Sequence, residues 1–132
     1  MSEHVIKILL IDDDLIYRYT AEKLLGSCGY PVSIIQKADG AAALDYLNNA
    51  KSEKNTLSDV IFLDLNMPGM NGWEFLEAFA KWDQNIPVCL VTSSADIFDT
   101  QRAKLYTIVR DYLIKPFSKD SVKTILASVA HY

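Results

Sequence analysis

The sequence predicts an α/β fold: a doubly wound parallel sheet of five strands, with five helices linking and following them. Three observations carry that expectation. Five short apolar runs rich in branched residues recur along the 132 residues, and each is continuously apolar instead of alternating, as a strand covered on both faces must be. Between them lie stretches whose apolar residues fall three and four apart, the spacing of one buried helix stripe. Regular alternation of the two patterns gives right-handed crossovers and a sheet with helices on both sides.

The first strand is expected over Val5 to Ile11, broken only by Lys7 and followed at once by Asp12, Asp13 and Asp14. Gly29 is placed to close the helix after it, and Val32 to Ile35 is the second strand. Val60 to Leu63 is the third. Beyond it Asn66, Pro68 and Gly69 form a turn signal, and Phe75, Leu76, Phe79 and Trp82 make a helical stripe. Asn71 suits the start of that helix, taking a first-turn N–H while Glu74 reaches back. Val88 to Val91 is the fourth strand. The helix after it, roughly 96–106, has the poorest stripe, because Gln101, Arg102 and Lys104 interrupt it, and is expected to be the least firmly packed. Tyr112 to Ile114 is the fifth strand, and Ser118 opens a last helix with Val122, Ile125, Leu126 and Val129 on one side.

Length and composition bound the function. The chain fits one domain, 1–132, and no separate effector module is expected. A net charge of −4 and thirteen scattered Lys and Arg leave no basic face to track a nucleic-acid backbone. Val5 to Ile11 is too short for a signal core or a membrane span, so a cytoplasmic location is expected. Cys28 and Cys89 lack metal-ligand spacing and read as reduced buried thiols. His4 and His131 read as solvated, and the Trp and Phe residues as core.

The chemistry collects at one rim. Ligands of open α/β sheets sit beyond the carboxyl ends of the strands, and those ends carry Asp12, Asp13 and Asp14, then Asp64, then Thr92, Ser93 and Ser94, then Lys115 with Pro116. Carboxylates gathered there repel one another unless a cation sits among them. Magnesium, a hard ion that takes one or two carboxylates plus phosphate oxygens, fits, with Asp13 and Asp64 able to supply the pair. A carboxylate beside it can attack phosphorus when other groups neutralise the equatorial oxygens. Lys115 and Thr92 are the candidates for that task.

Four motifs, LLIDDD at 9–14, LDLNMPGMNGWEFL at 63–76, LVTSS at 90–94 and DYLIKPF at 111–117, match in order and spacing the response-regulator receiver domains. The resemblance covers nearly the whole chain and implies a flavodoxin-like sheet in the order 2-1-3-4-5. It implies that Asp64 is the phosphoacceptor, that Asp12 and Asp13 are the acidic pair, and that Asp12, Asp13, Asp64 and the backbone carbonyl of Asn66 hold Mg2+ or Mn2+. Thr92 becomes the switch hydroxyl, Tyr112 the switch aromatic and Lys115 the phosphate-sensing amine, with a cis bond to Pro116. Asn66 and Ser94 occupy the positions that tune the lifetime of the acyl phosphate. The implied activity is a switch of a two-component system or phosphorelay, not an enzyme acting on other substrates. It would be charged by a histidine kinase or a histidine phosphotransfer protein and read by a protein target at residues 96–132.

One alternative belongs to another class. Asp12 and Asp14 also form the Asp-x-Asp of a magnesium-dependent phosphatase, with Asp12 as nucleophile. That reading has Ile16 where such phosphatases place Thr or Val, and no use for the Asp64 motif.

Overall fold

The computed structural model describes residues 4–51, 58–67, 70–82, 85–93, 97–115 and 118–130. Strands β1 (Ile6–Ile11), β2 (Val32–Lys37), β3 (Val60–Asp64), β4 (Val88–Thr92) and β5 (Val109–Ile114) alternate with helices α1 (Leu15–Gly26), α2 (Gly40–Ala50), α3 (Gly72–Phe79), α4 (Ile97–Ala103) and α5 (Lys119–Val129). All strand pairs are parallel, in the order β2-β1-β3-β4-β5. This is the predicted α/β class and strand order.

Side-chain alternation along each strand divides the core in two. Leu9, Ile11, Ile61, Leu63, Val88 and Leu90 face α2, α3 and α4, where Leu47, Phe75, Leu76 and Phe79 meet them. Ile6, Ile8, Leu10, Phe62, Cys89 and Val91 face α1 and α5, where Leu25, Val122, Ile125 and Leu126 close the layer. Phe62, Phe75 and Phe79 are completely enclosed, and each such side chain removed from water contributes about 1.5–3 kcal/mol. β1, β3 and β4 are therefore buried on both faces. The outer strands β2 and β5 are only half-buried, because each stands at an edge of the described sheet.

Helix starts follow their capping residues. Asn71 accepts from the Glu74 N–H at 2.9 Å and Glu74 accepts from the Asn71 N–H at 3.0 Å, the expected reciprocal pair, and Ser118 caps α5. Several expectations need correction. β5 begins at Val109 rather than Tyr112: Arg110 and Asp111 hide the strand in the sequence, yet an edge strand tolerates them. Gly29 does not close α1, which ends at Gly26 with Ser27 as its cap; it supplies the left-handed turn, φ 91°, that leads toward β2. α4 is seven residues long, shorter than the predicted span. Trp82 lies past the end of α3 and stacks edge-on to Phe79. His4 is not merely solvated, since its ring nitrogen Nε2 lies 2.9 Å from Asp59. His131 and the Lys115–Pro116 bond lie outside the described residues.

Cys28 and Cys89 are buried free thiols. No helix among the described residues is long and apolar enough to cross a membrane.

Candidate functional site

Parallel registration brings four strand ends level. Ile11 pairs with Leu63, Asp64 with Val91 and Thr92 with Ile114. The residues that follow are held by the sheet's own ladder: the N–H of Lys115 donates to the Thr92 carbonyl at 2.7 Å, and that of Leu65 to the Val91 carbonyl at 3.1 Å. Asp12, Asp64, Thr92 and Lys115 thus meet on one rim.

Asp12, Asp13 and Asp64 can each present an oxygen within 4.8 Å of the others. Asp12 and Asp64 are buried while Asp13 is exposed, so the cluster opens to solvent on one side. The side chain of Lys115 reaches into it, its Nζ 2.8 Å from Asp12 and 3.6 Å from Asp64. Asp14, the third acid, does not join: its carboxylate accepts from the N–H groups of Ile16 and Tyr17 and caps α1. The capping role that three acids before a helix could all have played falls to this one alone.

Electrostatics single out Asp64. Burial, reinforced by Asp12 and to a lesser degree by Asp13, pushes its carboxyl up to about 6, against the opposing pull of the Asn66 N–H and the Lys115 ammonium. A carboxylate left short of positive charge in this way offers a place for a cation.

Thr92 is fully buried. Its hydroxyl accepts from the side-chain amide of Asn66 at 3.2 Å, while the Asn66 backbone N–H donates to Asp64 at 3.2 Å. One residue therefore touches both Asp64 and the Thr92 hydroxyl. Leu90 pairs with Tyr112 and Thr92 with Ile114, so Thr92 and Tyr112 share the sheet face toward α4. Tyr112 is half-buried there, with its hydroxyl oxygen enclosed. Ser94 lies outside the described residues.

The loop bearing Asp64 leaves no spare room. The Gly72 N–H donates to the Leu65 carbonyl at 3.1 Å, and a Cβ on Gly72 would come within 2.7 Å of the Leu65 Cα and 2.8 Å of the Asp64 carbonyl oxygen. Glycine is what lets α3 start against the Asp64 loop.

Two residues escaped the sequence reading. Arg18 donates to the Asp12 carbonyl and to the Gln36 side chain, tying α1 to the acidic loop. Tyr17 places its ring 4.0 Å from the Lys115 Nζ. Burial, with Asp12 and Asp64 behind it, holds its phenol far above the ordinary tyrosine range, so it stays neutral. Their signal was present in the three- and four-residue offsets from Asp14, the helix cap.

Comparison with known proteins decides the family. A family model described as the response regulator receiver domain matches residues 8–127. The chain is a response-regulator receiver domain. This receiver is similar to a two-component response regulator of Cytophaga hutchinsonii, at 29% identity and a TM-score of 0.87 over 95% of this chain and 96% of that one. It is 31% identical over 127 residues to the probable methanogenesis regulatory protein FilR2 of Methanothrix harundinacea, covering 95% of this chain and 81% of the relative. It is 33% identical over 111 residues to the transcriptional regulatory protein PrrA of Mycobacterium leprae, covering 84% of this chain and 44% of the relative. The receiver thus spans less than half the length of PrrA. Membership implies phosphorylation-dependent signalling through a phosphoacceptor site; receivers bind Mg2+ at an acidic pocket, and this chain gathers Asp12, Asp13 and Asp64 into an acidic cluster.

Proposed function

We propose that this receiver takes a phosphoryl group on Asp64 from a histidine kinase or a histidine phosphotransfer protein, and that the change is read by another protein. One observation carries the proposal: a buried carboxylate ends the central strand β3 with two other acids and one lysine ammonium at its oxygens. In the transfer, an oxygen of Asp64 bonds to phosphorus as the bond from phosphorus to the donor nitrogen breaks, and the donor imidazole leaves with that electron pair. A divalent cation held by Asp12, Asp13, Asp64 and the Asn66 carbonyl would neutralise charge on the phosphoryl oxygens. Mg2+ fits this all-oxygen donor set, as does Mn2+.

The chain's own groups do the rest. Lys115 turns from Asp12 toward a phosphoryl oxygen, as a mobile point charge suits. Thr92 leaves Asn66 and donates its hydroxyl to another phosphoryl oxygen. The vacated space lies on the face of Tyr112, which lines a notch with Thr100, Ala103 and Lys104 between α4 and β5. That notch belongs to the surface of residues 96–132, the proposed output face. Phosphorylation adds nearly two negative charges and need only bias two existing arrangements by a few kcal/mol. Asn66 and Ser94 set how long the acyl phosphate lasts. The two buried thiols suit a reducing cytoplasm.

The phosphatase alternative is disfavoured by Asp14, the second acid of its Asp-x-Asp: the Asp14 carboxylate accepts from the N–H groups of Ile16 and Tyr17 and caps α1 instead of joining the cluster. The test is labelling by acetyl phosphate with Mg2+: wild type takes up one phosphoryl group, Asp64→Asn takes none, and steady turnover of a phosphate monoester is absent. Label retained by Asp64→Asn overturns the assignment.

A further inference from the structure

We infer that Tyr17 is a positioning residue for phosphoryl transfer, its ring face serving as the platform that keeps the Lys115 ammonium over the acceptor. The inference rests on Asp64 being the phosphoacceptor and adds a residue outside the motifs that mark the site.

Lys115 meets three groups at once: Asp12 at 2.8 Å, Asp64 at 3.6 Å and the Tyr17 ring centroid at 4.0 Å. The two carboxylate contacts are directional, and the one to Asp12 must be given up when Lys115 turns toward a phosphoryl oxygen. A ring face attracts a cation over a broad area, so the ammonium can swing across it without losing the contact. Without that platform a flexible four-carbon stem, whose side chain is already 19% exposed, spreads over rotamers that lead into solvent. Tyr17 narrows that spread before the phosphoryl group arrives.

The ring is itself held. Asp14 accepts from the Tyr17 N–H at 3.2 Å, Arg18 anchors the same turn of α1 to the Asp12 carbonyl, and the ring packs against the apolar layer between α1, α5 and the sheet. The acidic loop therefore sets the position of the aromatic face as well as that of two carboxylates. The three consecutive acids divide the work: Asp12 and Asp13 bear on the reacting groups, while Asp14 orients the residue that orients the lysine.

The test uses the full chain with Tyr17→Leu, which keeps the apolar packing, and Tyr17→Phe, which keeps the ring. The Lys115 Cε protons should show an upfield ring-current shift in wild type and Tyr17→Phe and lose it in Tyr17→Leu. The initial rate of labelling by acetyl phosphate with Mg2+, and the affinity for beryllofluoride, should each fall about 3- to 10-fold in Tyr17→Leu and stay within about twofold in Tyr17→Phe, the span of a partly desolvated cation–π contact. A Tyr17→Leu chain with a lowered urea midpoint but a wild-type labelling rate would show a ring that only fills space, and overturns the inference. So does a Tyr17→Phe chain as slow as Tyr17→Leu. Should Tyr17→Leu fail to fold, Tyr17→Met takes its place with the same expectations. A wild-type chain that takes no label on Asp64 overturns the phosphoacceptor reading and this inference together; a labelled wild type beside an unaffected Tyr17→Leu overturns this inference alone.

Discussion

The side-chain amide of Asn66 donates to the hydroxyl of Thr92 at 3.2 Å, across 26 positions of sequence. Under the proposed mechanism, in which Thr92 moves toward the phosphoryl group, this bond favours the arrangement that precedes phosphorylation and is given up on the move. A hydrogen bond of this kind is worth about 0.5–1.5 kcal/mol. Asn66→Ala should therefore raise beryllofluoride affinity roughly 2- to 10-fold, measured by NMR titration. A lower affinity would show that the amide supports the phosphorylated state instead.

Asp64 makes stability depend on pH. Its carboxyl sits at about 6 when folded against 3.8 for an ordinary aspartate, so the folded chain holds the proton more tightly than the unfolded one. Below about pH 4 both states are protonated and the residue contributes no penalty. As pH rises the unfolded state ionises first, and above about pH 6 the accumulated penalty is about 2–3 kcal/mol. Asp64→Asn should thus gain about that much in urea unfolding at pH 7 and nothing below pH 4. Mg2+ should stabilise wild type at pH 7 and lose that effect as pH falls through 6. A stability gain in Asp64→Asn that does not change with pH would rule out this origin.

Lys115 opposes the rise at Asp64. Lys115→Ala removes the only described ammonium at the acid cluster, so the Asp64 carboxyl should titrate above 6, followed by carbon NMR of its side chain. Labelling by acetyl phosphate should fall at least about tenfold, since a charge-assisted contact to phosphate is lost. An Asp64 titration that stays in place would mean that burial alone sets it.

Gly72 is held by contact rather than by backbone conformation. Gly72→Ala puts a methyl group against the Leu65 Cα and the Asp64 carbonyl oxygen, two backbone atoms that cannot step aside. Overpacking of this kind costs about 1–3 kcal/mol. Urea unfolding should show the loss, and labelling of Asp64 should slow because its loop is displaced. Wild-type values for both would mean that α3 can withdraw freely.

The layers of the fold were legible because burial leaves a period in the sequence. β1, β3 and β4 are covered on both faces and read as unbroken apolar runs, and Asn71, Glu74 and Ser118 mark helix starts by bonds that span only three residues. β5 was read three residues short because Arg110 and Asp111 stand in an edge strand, where a polar side chain meets water instead of a helix. His4 was misread for a related reason: its partner Asp59 is 55 positions away, and nothing near His4 announces it.

The site divides along the same line. Which residue types stand at the strand ends is a matter of sequence alone, and the acids, the hydroxyl and the amine were all named from it. Only the folded chain decides how they are shared: that Asp14 turns to cap α1 while Asp12 and Asp13 stay with Asp64, that Lys115 lies nearer to Asp12, that Asn66 reaches Thr92, and that an unremarked tyrosine lies against the lysine. Lys115 and Asp12 are 103 positions apart. Local pattern records what each residue buries and how it bonds to its neighbours, whereas distances across the rim are set when parallel strands register and the sheet closes them together.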